Sequence, residues 1–93
     1  MSAYIIGHIT VRNEDKWEEY RSRVPATLEP WRGEIVFRGS RNTVLAGSHD
    51  FTAAVVIRFP DHASVQGWYL SPAYQALIPL RREAADLVLV SYD

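Results

Sequence analysis

Apolar and polar positions alternate over Ala3 to Val11 in a way that leaves neither side of the segment polar. Tyr4, Ile6, His8 and Thr10 share one face of a strand; Ile5, Gly7, Ile9 and Val11 share the other. A strand with two apolar faces needs cover on both. The period then lengthens. Asn13 is a suitable N-cap, Glu14 and Asp15 suit the positive end of a helix dipole, and Trp17, Tyr20, Val24 and Leu28 form one stripe. Pro25 falls inside the stripe and is expected to kink or restart the helix. Trp31, between Pro30 and Gly33, is expected to anchor onto the sheet.

Glu34 to Gly39 reads as a second strand, with Ile35 and Phe37 on one face and Val36 and Arg38 on the other. Thr43 to Ala46 reads as a short third strand, typical of a sheet edge. Phe51 to Phe59 is the clearest strand of all: Ala53, Val55, Ile57 and Phe59 alternate with Thr52, Ala54, Val56 and Arg58. Pro60 and Asp61 end it and cap a helix carrying Val65, Trp68 and Tyr69. Ser71-Pro72 and Ile78-Pro79 each start a fresh helical turn, because proline suits the first turn and pushes the residue before it out of helix. Leu87 to Tyr92 is the last strand.

The predicted order is β-α-β-β-β-α-β, one domain over 1–93. That is an α+β chain, a split β-α-β motif with an antiparallel sheet and helices on one face. Helices in so short a chain cover one sheet face only. The other is expected to be covered by a second copy packed sheet to sheet, which would make a barrel-like homodimer.

Composition narrows the function classes. The net charge is -1 and no basic run is present, which argues against nucleic acid as a partner. No apolar run approaches the ~20 residues that span a bilayer, and the N-terminus lacks the basic region of a signal peptide. Cysteine is absent, which removes thiolate chemistry and disulfides and is compatible with a cytoplasmic protein. His8, His49 and His62 are the histidines; none pairs with another ligand type at helical spacing, so no metal site is expected. No motif calls for a cofactor.

Chemistry is concentrated between Gly67 and Arg81, a run of broken helix holding three aromatics, two prolines and an arginine. Trp68, Tyr69 and Tyr74 can wall a pocket for a flat apolar ligand, or serve as core aromatics. Arg81 can hold a carboxylate through two parallel hydrogen bonds, or form an ion pair at the surface. Arg38 is a second candidate anion binder. His8 is a candidate general base, the alternative being a hydrogen-bonded core histidine. Ser71 is read as a cap and not as a nucleophile.

Trp68-Tyr69-Leu70-Ser71-Pro72-Ala73-Tyr74-Gln75 with the downstream Leu80-Arg81, together with Tyr4-Ile5-Ile6, the Trp17/Tyr20 helix, Arg38-Gly39 and Phe59-Pro60, resembles the domain of unknown function 1330 family. The resemblance covers nearly the whole chain. It implies a ferredoxin-like fold of the dimeric α/β-barrel superfamily, whose members include small monooxygenases, haem-degrading enzymes and muconolactone isomerases. Two functional expectations stand side by side. One is an enzyme acting on a small aromatic or carboxylated molecule, with His8, Tyr74 and Arg81 catalytic and Arg38, Trp68 and Tyr69 binding the ligand. The other is a non-catalytic homodimer that binds a small molecule.

Overall fold

The computed structural model describes residues 2–93. The chain runs β1 (Ala3–Val11), α1 (Glu14–Leu28), a 3-10 turn (Glu29–Trp31), β2 (Glu34–Ser40), β3 (Ala53–Phe59), α2 (His62–Leu70), α3 (Pro72–Gln75), α4 (Ile78–Ala84) and β4 (Ala85–Tyr92). The four strands form an antiparallel sheet in the order β2-β3-β1-β4. This is a ferredoxin-like α+β fold, with the helices on one face.

The sheet is open, which corrects the expected barrel. β2 and β4 lie at opposite edges and do not pair with each other. The physical reason is strand number: barrels that close on themselves need more strands, about eight in the common small ones, to bend through a full turn. Two apolar faces in the sequence reported a need for cover, not a closed sheet.

Local signals explain most element boundaries. The Asn13 side chain accepts the Lys16 N–H at 3.0 Å and starts α1. Asp61 does the same for α2 through the Ser64 N–H at 2.8 Å. Ser71 has two tasks: its hydroxyl donates to the Trp68 carbonyl at 2.6 Å and accepts from the Tyr74 N–H at 3.3 Å, so one side chain closes α2 and opens α3. α1 continues through Pro25, so the helix does not restart there.

Three further expectations change. Residues 43–46 form no strand; the segment between β2 and β3 is irregular, and Leu45 is 94% exposed, without a neighbour to pair with. Trp31 anchors onto a helix: its ring lies against the backbone of α2 at Gly67, so close that a Cβ there would overlap the ring. β2 carries an irregularity between Ile35 and Phe37. Ile35 pairs opposite the buried Ile57, yet Phe37 sits opposite Val56 and Arg38 opposite Val55. The extra residue reverses the alternation, so that Phe37 faces away from the helices and Arg38 faces toward them.

The core lies between the sheet and the helices. Ile5, Ile57 and Phe59 from the strands meet Tyr20, Val24 and Leu28 of α1 and Val65, Trp68, Tyr74 and Leu77 of the following helices. The opposite face presents Tyr4, Ile6, Val56, Val88, Val90, Tyr92 and Phe37, the last four all more than a third exposed. Among the described residues no helix is long and apolar enough to cross a membrane.

Candidate functional site

The helix α1 and the sheet enclose a cavity of about 740 Å³. Its floor is Ile9, Val55, Ile57, Leu87 and Leu89 of the strands, and its wall is Trp17, Tyr20 and Val24 of α1 with Trp68 behind them. Trp17 and Tyr20 stack with ring centroids 5.2 Å apart, which the i, i+3 spacing on one helix face produces. The mouth is polar. Glu14, Glu18 and Arg21 line it from α1, and Arg38 and Arg41 from the other side. Arg21 is held by Glu18 at 2.9 Å. Arg38 forms no ion pair among the described residues. Partial burial, and then the nearby Arg21, hold its guanidinium below the ordinary arginine range.

Behind the aromatic wall runs a chain of buried polar contacts. The Tyr20 and Tyr74 hydroxyls meet at 2.8 Å, and Arg81 Nη1 donates to the Tyr74 hydroxyl at 2.9 Å. Tyr74 is 0% exposed, and Arg81 also lies over its ring, 5.9 Å from the centroid. With Arg81 donating to the Tyr74 oxygen, the Tyr74 hydrogen is free to point at Tyr20. Either hydroxyl of this pair can be the donor. Arg81 and Tyr69 also line a second cavity, about 670 Å³, between α2 and the edge strand β4. The buried hydroxyls therefore join the two hollows through the core.

The sequence candidates divide accordingly. Tyr74 and Arg81 come together, with Tyr74 fully buried and Arg81 half-buried at the second cavity. Trp68 is 1% exposed and packs on Tyr74 at 4.2 Å between centroids; its indole N–H donates to Thr27 at 3.0 Å. Tyr69 is half-buried at the second cavity, and Arg38 is at the mouth of the first. His8 joins none of them. It stands on the uncovered face, with the sheet between it and Tyr74. Tyr20 and Arg21 were missed as site residues, because Tyr20 reads as one member of the α1 stripe. The available signal was chemical: a tyrosine on a buried stripe needs a partner for its hydroxyl.

Burial, then the charge and hydrogen bond of Tyr74, push the Tyr20 hydroxyl far above the ordinary tyrosine value. The native state therefore keeps a proton that the unfolded chain releases near pH ~10. Stability from this group is fully present below that pH and is lost above it, by at most about 1.4 kcal/mol per pH unit. Urea midpoints measured from pH 8 to 11.5 are expected to fall, and Tyr20→Phe to fall less steeply. Equal slopes for the two proteins would contradict the placement of that proton.

Comparison with known proteins follows the same lines. The family model of a domain of unknown function (DUF1330) matches residues 2–92. No curated protein matches the sequence. Among solved structures, a protein of unknown function from Rhodopseudomonas palustris superposes with a TM-score of 0.83 at 15% identity, over 98% of this chain and 80% of that one. A dimeric ferredoxin-like protein of unknown function from Jannaschia gives 0.78 at 13%, over 100% and 99%. SnoaB, a cofactor-independent oxygenase from Streptomyces nogalater, gives 0.72 at 13%, over 99% and 91%. At these identities the likeness is one of fold.

Proposed function

This chain belongs to the DUF1330 family, and from that premise we propose that it is a homodimeric binding protein for a small molecule with a flat apolar body and a carboxylate. The observation that carries this reading is the cavity under α1: aromatic and aliphatic inside, with the unpaired Arg38 at its mouth. Ligand sites are commonly apolar hollows of ~300–1,000 Å³ with a few polar groups that orient the occupant. The β2 bulge supports the assignment, because it turns Arg38 from the outer face of the sheet into the cavity. The homodimer is supported by the apolar outer face and by the dimeric ferredoxin-like protein from Jannaschia, whose fold this chain shares.

A catalytic version of the same site rests on one further feature. The Tyr20 phenol at the cavity wall connects through Tyr74 to Arg81. Such a chain can donate a hydrogen bond to an oxygen that gains negative charge on a bound substrate. SnoaB, of the same fold, acts as an oxygenase without a cofactor. The simpler binding reading is preferred, because it needs only the apolar lining and the Arg38 guanidinium.

A thermal-shift series with aromatic carboxylates such as phenylacetate and indole-3-acetate tests both. Saturable stabilisation is expected, with the ligand recovered unchanged by mass spectrometry. Arg38→Ala is expected to weaken binding ~10–100-fold, the worth of a charged hydrogen-bonded pair, without lowering the melting temperature of the free protein. Stabilisation with conversion of the ligand would favour the enzyme. Equal affinity in wild type and Arg38→Ala would remove Arg38 from the site.

A further inference from the structure

The outer face of the sheet holds a group that the cavity does not use. His8 sits in mid β1, directly opposite Ala54 of β3 and Val88 of β4. Neither neighbour offers a polar side chain. His8 Nδ1 is buried and has no hydrogen-bond partner. A buried polar atom left unpaired costs on the order of 1–3 kcal/mol, so an orphan of this kind signals something missing that would meet it.

The loop between β2 and β3 brings a second imidazole to the same place. The His49 ring stands edge-on to His8, with centroids 4.9 Å apart and planes at 74°. Phe51 closes the side, 6.1 Å from His8 and 5.9 Å from His49. The loop is clamped in this position. Arg41 Nη1 donates to the carbonyls of His49 at 2.7 Å and Phe51 at 3.3 Å, and the Thr52 N–H reaches the Ile9 carbonyl at 3.0 Å. His49 is thus set beside His8 by backbone contacts that do not involve its ring.

We propose that His8 and His49 form a two-imidazole site for a late first-row divalent ion, with copper(II) the preferred occupant. Three observations converge on it. The centroid separation suits shared coordination: two imidazoles bound at ~2.0–2.1 Å and roughly 90–110° apart hold their centroids about 5 Å from each other. The unpaired Nδ1 offers a lone pair that the fold leaves unused. The ligand type sets the metal class, since imidazole suits copper, nickel and zinc, and affinity rises to copper(II) along that series. Among the described residues no third histidine, cysteine or carboxylate joins the pair, so the remaining positions are left to groups of a second copy covering this face or to water. The site is independent of the cavity under α1, from which the sheet separates it.

The test is a copper(II) titration of the full chain, followed by electron paramagnetic resonance and competed with glycine as a weak chelator. One ion per chain is expected, with nitrogen superhyperfine structure from two imidazoles. His8→Ala and His49→Ala should each weaken binding at least ~10-fold and leave one imidazole or none in the spectrum. His49→Ala lies in a loop and leaves the sheet intact, so it remains informative even where a change in β1 disturbs folding. His62→Ala, on the helical side, should bind as wild type does. The proposal is overturned if no saturable site exists at micromolar copper. It is equally overturned if removing His8 and His49 leaves the spectrum unchanged, or if His62 or the terminal amine accounts for the ion.

Discussion

Trp68→Ala is expected to destabilise the protein by ~3–5 kcal/mol. Native stability for 93 residues is on the order of 5–14 kcal/mol, so the variant should lose a large share of it. Trp68 is 1% exposed and touches Phe59, Tyr69 and Tyr74, with centroids 5.6, 6.2 and 4.2 Å away. Removing it opens a void where the sheet, α2 and α3 meet. It also strips Thr27 of a donor, though the Thr27 hydroxyl keeps its own bond to the Val24 carbonyl at 2.7 Å. Trp68→Phe should cost much less, because a ring still fills most of the space. Urea denaturation followed by circular dichroism measures both. A loss below ~1 kcal/mol for the alanine variant would mean that the aromatic cluster does not hold the sheet to α2 and α3.

Val56→Asp should separate the subunits of the proposed homodimer while each stays folded. Val56 lies mid-face, opposite Ile6 on one side and Phe37 on the other. Within one chain its side chain meets solvent on the uncovered face, so a carboxylate there remains hydrated. Between two apposed copies it would be buried without a partner. That costs ~3–5 kcal/mol, or at least ~100-fold in the dissociation constant. Sedimentation velocity at tens of micromolar is expected to give a dimer for wild type and a folded monomer for the variant. Val88→Asp, at a residue already 42% exposed, provides a second reading with less risk to the strand. A monomeric wild type, or dimeric variants at both positions, would rule out this face as the interface.

Period-two and period-four patterns revealed most of the scaffold, because those elements owe their form to nearest neighbours. β1 and β3 alternate cleanly, and Asn13, Asp61 and Ser71 each cap the helix that follows them. The failures share a different cause. Whether residues 43–46 pair depends on a distant edge that their own sequence does not encode. Val44 and Leu45 look like strand and remain unpaired and exposed. The barrel-like homodimer was inferred from apolar content, which says that a face needs cover and not that the sheet closes. The β2 bulge escaped notice because alternation assumes one residue per pairing step, and this single departure decides which way Arg38 points. For the site, Trp68, Tyr74 and Arg81 were identified as a group, with pocket wall and core left as alternatives for the aromatics, and the near-complete burial of Trp68 and Tyr74 decides for core. Tyr20 was counted as core, which it is, although its hydroxyl completes the polar chain. His8 was grouped with them by residue type alone, and the sheet places it on the far side.

The contact between Trp31 and Gly67 bears on how a guest would come and go. With no side chain at Gly67, the indole at the end of α1 rests directly on α2. The two helices are wedged together at that end and have little room to splay. Passage into the hollow is then left to the long side chains at its mouth, Arg38 and Arg41 among them. Rotation of such side chains takes picoseconds to nanoseconds, against microseconds or longer for hinged bodies. Entry would be governed by diffusion and charge, and the residence time by the strength of the grip.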